Sequence, residues 1–166
     1  MTNSQLAWIE NAALAAQSAD HVWPEMAACE AALESGYGQS RLALDAKNLF
    51  GTKQHRHPIF GTLSLPTKEF LNDQWVEEKS DWVLYPTLED CFTDRMDTLE
   101  RLKSAYPHYG LALEAADPVS YVTEVSKSWS TDPLRAAKVI SIYTEFVGNQ
   151  KSNNAESVND AATGEN

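Results

Sequence analysis

The hydrophobic period of this chain changes twice, and that change restricts the fold more than any single residue does. Over about Asn3–Gln17, Leu6, Ile9, Ala13 and Ala16 recur on one stripe, the pattern of an amphipathic helix. Trp23-Pro24 opens a second helix, with proline at the first helical position, where its missing N–H costs nothing. That helix carries Met26, Ala27, Ala31 and Leu33 and stops at Gly36; a short one follows Ser40 and ends near Lys47. From Phe60 to Tyr85 the period drops to two. Leu63, Leu65, Thr67 and Glu69 share one strand face, Asn72-Asp73 makes a turn, and Trp75-Val76 and Trp82-Val83-Leu84 follow. Such alternation predicts a hairpin with room for a third strand, and Pro66 either breaks the first strand or places it at an edge.

The helical period returns at Thr87. Thr87-Leu88-Glu89-Asp90 has the form of a capping box with Asp in the Glu place, and Leu88, Phe92, Met96, Leu99 and Leu102 repeat at three and four. Asp117-Pro118 and Asp132-Pro133 are two further helix starts. The last helix, with Leu134, Ala137, Ile140 and Phe146 on one side, is expected to stop at Gly148. Helices, a small sheet, then helices make an α+β domain, mostly helical, with a β-hairpin lobe flanking a cleft where a ligand would sit. The domain is expected over residues 1–148. Residues 149–166, rich in Asn, Ser, Ala, Glu and Gly, read as a disordered tail.

A net charge of −11 argues against nucleic acid as a partner, because phosphate binding relies on clustered Lys and Arg. It also gives unfavourable steering towards any anionic polymer, so binding to one would depend on a shaped groove with local contacts. No apolar run approaches the roughly 18 residues of a membrane span. The start, Met1 to Gln5, has no basic region, and Glu10 and Asn11 interrupt the apolar residues that follow, unlike a secretory signal peptide. Cys29 and Cys91 sit in helical patterns and are expected to behave as small buried apolar residues.

Glu34 is the residue whose position suggests chemistry. It closes a helix, where carbonyl dipoles disfavour an anion, and Glu30 lies one turn earlier as a like charge. Trp23 and Ala27 continue the same stripe. These effects would favour a carboxyl that keeps a proton to donate. The plain alternative is a solvated glutamate before a glycine cap, since charged residues at helix ends are common.

The residues around Glu34 extend that reading. Ala31-Ala32-Leu33-Glu34-Ser35-Gly36-Tyr37-Gly38-Gln39-Ser40, followed by Ala46-Lys47-Asn48-Leu49-Phe50-Gly51-Thr52-Lys53, closely resembles glycoside hydrolase family 73, the bacterial and phage endo-β-N-acetylglucosaminidases. Similarity continues through Thr67-Lys68-Glu69-Phe70, Trp82-Val83-Leu84-Tyr85, Thr131-Asp132-Pro133 and Ala137-Lys138-Val139-Ile140, covering about residues 5 to 147. The resemblance implies a lysozyme-like fold and cleavage of peptidoglycan glycan strands between N-acetylglucosamine and N-acetylmuramic acid. It implies Glu34 as general acid and places Glu69 at the family's second acidic position, with Glu77, Glu78 or the substrate's N-acetyl group as competitors for that role. It implies substrate contacts at Tyr37, Asn48, Phe50 and Trp129, and calls for no metal and no cofactor.

Trp129 departs from the family pattern. Many relatives carry tyrosine in a G-Y-A-T-D-P segment, where this chain reads Ser128-Trp129-Ser130-Thr131-Asp132-Pro133. Tryptophan can stack on a sugar and donate an N–H but has no phenolic proton; alternatively, Trp129 belongs to the core. His55-Arg56-His57 lacks a further ligand at metal spacing and reads as a loop at the cleft rim or a solvated loop. Two rival functions use the same scaffold: a muramidase or lytic transglycosylase, or a non-catalytic wall-binding module. The substrate lies in the periplasm or cell wall and no export signal is read in the sequence. Release through a phage holin or delivery by a secretion machine would reconcile the two, with an immunity protein as a candidate partner.

Overall fold

The computed structural model describes the backbone of residues 1–71 and 74–163 and the side chains of residues 1–66 and 79–152. Among these residues the order is α1 (Asn3–Ser18), α2 (Pro24–Ser35), α3 (Arg41–Ala46), β1 (Gly61–Leu71), β2 (Gln74–Leu84), α4 (Leu88–Leu102), α5 (Pro107–Leu113), α6 (Pro118–Trp129) and α7 (Arg135–Thr163). The expected architecture, mostly helical with a small hairpin lobe, is the one found.

Local signals set the helix ends. Thr2 and Gln5 close a capping box ahead of α1, Thr87 and Asp90 close another ahead of α4, and Asp117 caps α6 by accepting from the Ser120 N–H at 2.8 Å. Helix α2 is the centre of the core. Met26, Ala27, Ala28, Cys29, Ala31 and Ala32 are all buried, and their small side chains let α1, α6 and α7 pack closely around them. Both cysteines are free, and burial pushes each thiol up to about 12, so neither is a ready nucleophile. No described helix is long and apolar enough to cross a membrane.

The hairpin pairs Gly61 with Leu84 through to Leu71 with Gln74. Its expected turn, Asn72-Asp73, and the side chains of Glu69, Glu77 and Glu78 lie outside the described residues. Pro66 sits inside β1 opposite Lys79; a two-stranded sheet has only edges, so its missing N–H breaks no second ladder. Among the described residues there is no third strand. A single bridge joins Lys53 to Trp82, flanked by Val83 N–H to Thr52 carbonyl (3.1 Å) and Gln54 N–H to Asp81 carbonyl (2.8 Å).

Two details of the last helix differ from the sequence reading. Leu134 is 60% exposed and Ala137 is also exposed, whereas Val139 and Phe146 are fully buried. The inward face is therefore that of Arg135, Val139, Ile142 and Phe146. Nor does Gly148 end the helix: α7 runs through it to Thr163, which corrects the stop expected at Gly148. A glycine inside a helix costs only about 1 kcal/mol, and this one follows turns already anchored by Val139 and Phe146. Helix α5 was not anticipated, although Tyr106-Pro107 carries the same proline-first signal as α2 and α6.

Candidate active site

Glu34 stands one residue before the end of α2, and the turn that follows is tightly determined. Gly36 adopts the left-handed conformation (φ 58°), and the Tyr37 N–H donates to the Ala32 carbonyl at 2.9 Å, closing the helix as a glycine cap does. The Ser35 hydroxyl donates to the Ala31 carbonyl (2.6 Å) and accepts from the Gly38 N–H (2.8 Å). Gly38 has φ 75°, and a Cβ there would lie 2.3 Å from Trp8 Nε1. The room that this glycine leaves is thus filled by the Trp8 indole. Tyr37 packs edge-on to that indole, with ring centroids 6.2 Å apart.

The electrostatic surroundings of Glu34 differ in sign from those read in the sequence. Arg135 Nε donates to Glu34 Oε1 at 2.7 Å, and the arginine side chain is 2% exposed against 28% for the glutamate. Glu30, expected as a like charge, is fully buried and compensated: its Oε1 accepts from Arg135 Nη2 at 2.9 Å and from Arg95 Nη2 at 3.1 Å. Its Oε2 accepts from the Tyr121 hydroxyl at 3.0 Å. Burial pushes the Glu30 carboxyl up, but the two guanidinium charges and the Arg135 hydrogen bond outweigh it and hold it below the usual range. His21 completes the cluster. Its Nδ1 accepts from the Trp23 N–H at 3.3 Å, so the ring proton is assigned to Nε2, which lies 3.5 Å from the Tyr121 hydroxyl. Burial lowers the His21 pKa to about 4, a shift that Glu30 opposes and Arg95 reinforces.

On its other side Arg95 lies over two aromatic rings. Its guanidinium carbon is 3.5 Å from the Trp129 ring centroid and 4.8 Å from that of Phe50. Arg95 Nε and Nη1 are buried with no acceptor; the π faces are what they meet instead. Trp129 is half-buried and lines an open groove of about 430 Å³ together with Phe50, Thr52, Lys53 and Tyr109. A second open stretch of about 560 Å³ shares His55 and Arg101 with the first and adds Arg56 and His57. His55 Nε2 is 3.3 Å from Asp94, which also accepts from the Tyr85 hydroxyl at 2.5 Å.

The expected site residues therefore separate. Phe50 and Trp129 share the groove, and Glu34 is joined to its Trp129 wall through Arg135, Glu30 and Arg95. Tyr37 turns to Trp8 instead. Asn48 is 1% exposed and spends its amide internally, donating to the Thr52 and Val83 carbonyls (2.8 and 3.0 Å) and accepting from the Thr52 N–H (2.8 Å). A more enclosed concavity of about 510 Å³, between α1, the start of α2 and α7, contains none of these residues. Sequence reasoning missed His21, Arg95, Tyr121 and Arg135. Both arginines were detectable as charges on apolar stripes, Arg95 between Phe92 and Leu99 and Arg135 in line with Val139, Ile142 and Phe146.

The lysozyme-like fold has solved counterparts. The catalytic domain of the autolysin Auto from Listeria monocytogenes superposes with a TM-score of 0.73 at 20% identity, covering 90% of this chain and 88% of that one. The glycoside hydrolase domain of Salmonella typhimurium FlgJ also gives 0.73, at 21% identity over 97% and 99% of the two chains. The family described as mannosyl-glycoprotein endo-beta-N-acetylglucosaminidase matches residues 10–147. The chain belongs to this glucosaminidase family and is by that membership a glycoside hydrolase domain. Curated relatives include a probable N-acetylmuramidase of Lactococcus lactis subsp. cremoris, 30% identical over 87% of this chain and 34% of the relative. Another is the peptidoglycan hydrolase FlgJ of Vibrio parahaemolyticus, 30% identical over 73% of this chain and 40% of the relative. The chain thus spans about a third of the length of the first of these.

Proposed function

We propose that the protein hydrolyses the β-1,4 glycosidic bond between N-acetylglucosamine and N-acetylmuramic acid in peptidoglycan, with Glu34 as general acid, acting in the periplasm or cell wall. The observation that carries this reading is the fixing of Glu34. Among the described residues, the side chain that hydrogen-bonds it is the buried Arg135, and it does so through Oε1, which leaves Oε2 for the substrate. In the proposed reaction Glu34 gives its proton to the bridging oxygen as the bond to the anomeric carbon breaks. One water adds its oxygen to that carbon and loses a proton, and solvent reprotonates Glu34. The groove beside Trp129 supplies an aromatic face on which a sugar ring can stack, and Lys53 there gives the acidic chain a local cation for an anionic glycan.

Water is deprotonated by Glu69 acting as base, or the substrate's own N-acetyl oxygen takes the place of that route. In the second case that oxygen bonds to the anomeric carbon as the glycosidic bond breaks, and water then opens the ring and gives its proton to the Glu34 carboxylate. Glu69→Gln with added azide separates them: a large loss partly restored by azide supports the carboxylate, and a mild loss without rescue supports the N-acetyl route. Muramidase action on the same scaffold is the second reading, favoured by the name carried by the Lactococcus relatives. Mass spectrometry of the products decides: a reducing N-acetylglucosamine end supports the first reading and a reducing N-acetylmuramic acid end the second. Glu34→Gln should fold and lose at least ~100-fold in lysis, as expected for a positioned general acid. Wild-type clearing of peptidoglycan by that variant, shown folded by circular dichroism, would remove Glu34 from the mechanism.

A further inference from the structure

The buried cluster around Glu30 does more than neutralise itself. Arg135 uses its three nitrogens in three directions: Nε to Glu34 Oε1 (2.7 Å), Nη2 to Glu30 Oε1 (2.9 Å) and Nη1 to the Ser126 hydroxyl (2.9 Å). The planar fork of a guanidinium suits this task and the point charge of a lysine does not. Ser126 lies on α6 three residues before Trp129, so one side chain ties the acid at the end of α2 to the helix that carries the aromatic face. The same Glu30 oxygen holds Arg95 (3.1 Å), whose guanidinium carbon lies 3.5 Å from the Trp129 ring centroid.

We propose that Arg135 is a positioning residue for Glu34, and that Glu30 joins it through Arg95 to Trp129, so that acid and sugar-stacking face are held in one rigid frame. This rests on the reading of Glu34 as general acid. The two arms of the frame have different consequences. Arg135 acts on the proton donor, so losing it should lower kcat. Arg95 acts on the stacking face, so losing it should raise KM.

A pair of double variants reads this split. Glu30→Gln with Arg135→Met and Glu30→Gln with Arg95→Met each remove one carboxylate and one guanidinium from the core, so both carry the same change in charge. On solubilised peptidoglycan glycan chains, the Arg135 pair should lose about tenfold or more in kcat with KM little changed. A displacement of the order of 1 Å in a catalytic group can cost roughly 100-fold. The Arg95 pair should show several-fold higher KM with kcat within about twofold of wild type. A purely structural role would move both pairs alike, and that result overturns the proposal. Arg135→Lys keeps the charge and protects the test if a double variant fails to fold: thermal unfolding should show a folded protein with kcat reduced about tenfold. If Glu34→Gln is inactive but folded Arg135→Lys turns over at the wild-type rate, the positioning role falls and Glu34 stands. If Glu34→Gln retains lysis, both fall together.

Discussion

Asn48 and Glu30 are both fully buried polar side chains, and each joins segments that are far apart in the chain. Asn48 does it with a neutral amide, stitching the loop before the hairpin to the end of β2 through three hydrogen bonds to backbone. Glu30 does it with a charge, and therefore needs two guanidinium groups, a phenol and, through that phenol, a histidine, drawn from α4, α6, α7 and the α1–α2 turn. The amide gives the Thr52 N–H its acceptor and adds a donor to the Val83 and Thr52 carbonyls, the second of which also accepts from the Val83 N–H, so its net effect is a gain. Burying an ion cluster costs desolvation that the pairing roughly offsets. A cluster of this kind is a poor stabiliser and a good constraint, because removing any member leaves the others unsatisfied. Its value here lies in the geometry it imposes on Glu34 and Trp129.

The largest way to break this contrast is Glu30→Ala. It leaves Arg95 with no carboxylate partner and Arg135 with only Glu34, and stability should fall by about 3–5 kcal/mol, the usual cost of stripping one member from a buried pair. Urea unfolding measures it. A loss under about 1 kcal/mol would mean that water or side-chain rearrangement compensates the arginines.

Next in size is an acid dependence centred on His21. The fold holds its pKa near 4 by burial, against an ordinary 6.5, so the unfolded chain takes up the proton first as pH drops. Its contribution is present above pH 6.5 and is lost as pH falls towards about 4, on the order of 3 kcal/mol at about 1.4 kcal/mol per unit. His21→Gln should be less stable at neutral pH and flatter across that window when unfolding midpoints are followed from pH 7 to 4. Parallel curves for the two proteins would show that the acid dependence arises elsewhere.

Smaller again is Asn48→Ala, which leaves the Thr52 N–H without its acceptor and takes the Asn48 donor from the Val83 carbonyl, while the Thr52 carbonyl keeps the Val83 N–H. The expected loss is about 1–3 kcal/mol, with faster hydrogen exchange at the Thr52 amide. Activity should drop only as far as stability does. A large rise in KM in a folded Asn48→Ala protein would return Asn48 to the substrate contacts that its motif suggested.

What the sequence disclosed follows from how far apart the determining residues are. Helix starts at Pro24, Thr87 and Asp117 depend on three or four consecutive residues, and each is where the local signal put it. The hairpin followed from alternation alone. The Ser35–Gly38 turn was legible as a turn, but its reason was not, since Trp8 lies 30 residues upstream of Gly38 and occupies the space beside it. The Glu30 cluster was illegible for the same reason, being assembled from positions 21, 30, 95, 121 and 135. Reading Glu34 from its own helix alone therefore gave the wrong sign for its neighbourhood: the like charge four residues earlier was visible, and the arginine 101 residues later was not.

The smallest expected effect is that of ending the chain at Gln150, and it bears on where the two polar nodes draw their support. Every member of both lies between His21 and Arg135, and the family match ends at residue 147. Along α7 the last fully buried side chain among the described residues is Phe146, with Val147 half-buried. Asn149 and Gln150 are half-buried, whereas Lys151 and Ser152 are exposed, and an exposed helical turn contributes little to stability. We therefore expect the shortened protein to unfold within a few degrees of the full chain and to lyse peptidoglycan at a comparable rate. Far-ultraviolet circular dichroism should lose only the helix signal of the removed residues. A drop in unfolding temperature comparable to that of Asn48→Ala would show that the end of α7 is a third support, one that presses on Gln150 and the concavity beside Trp23.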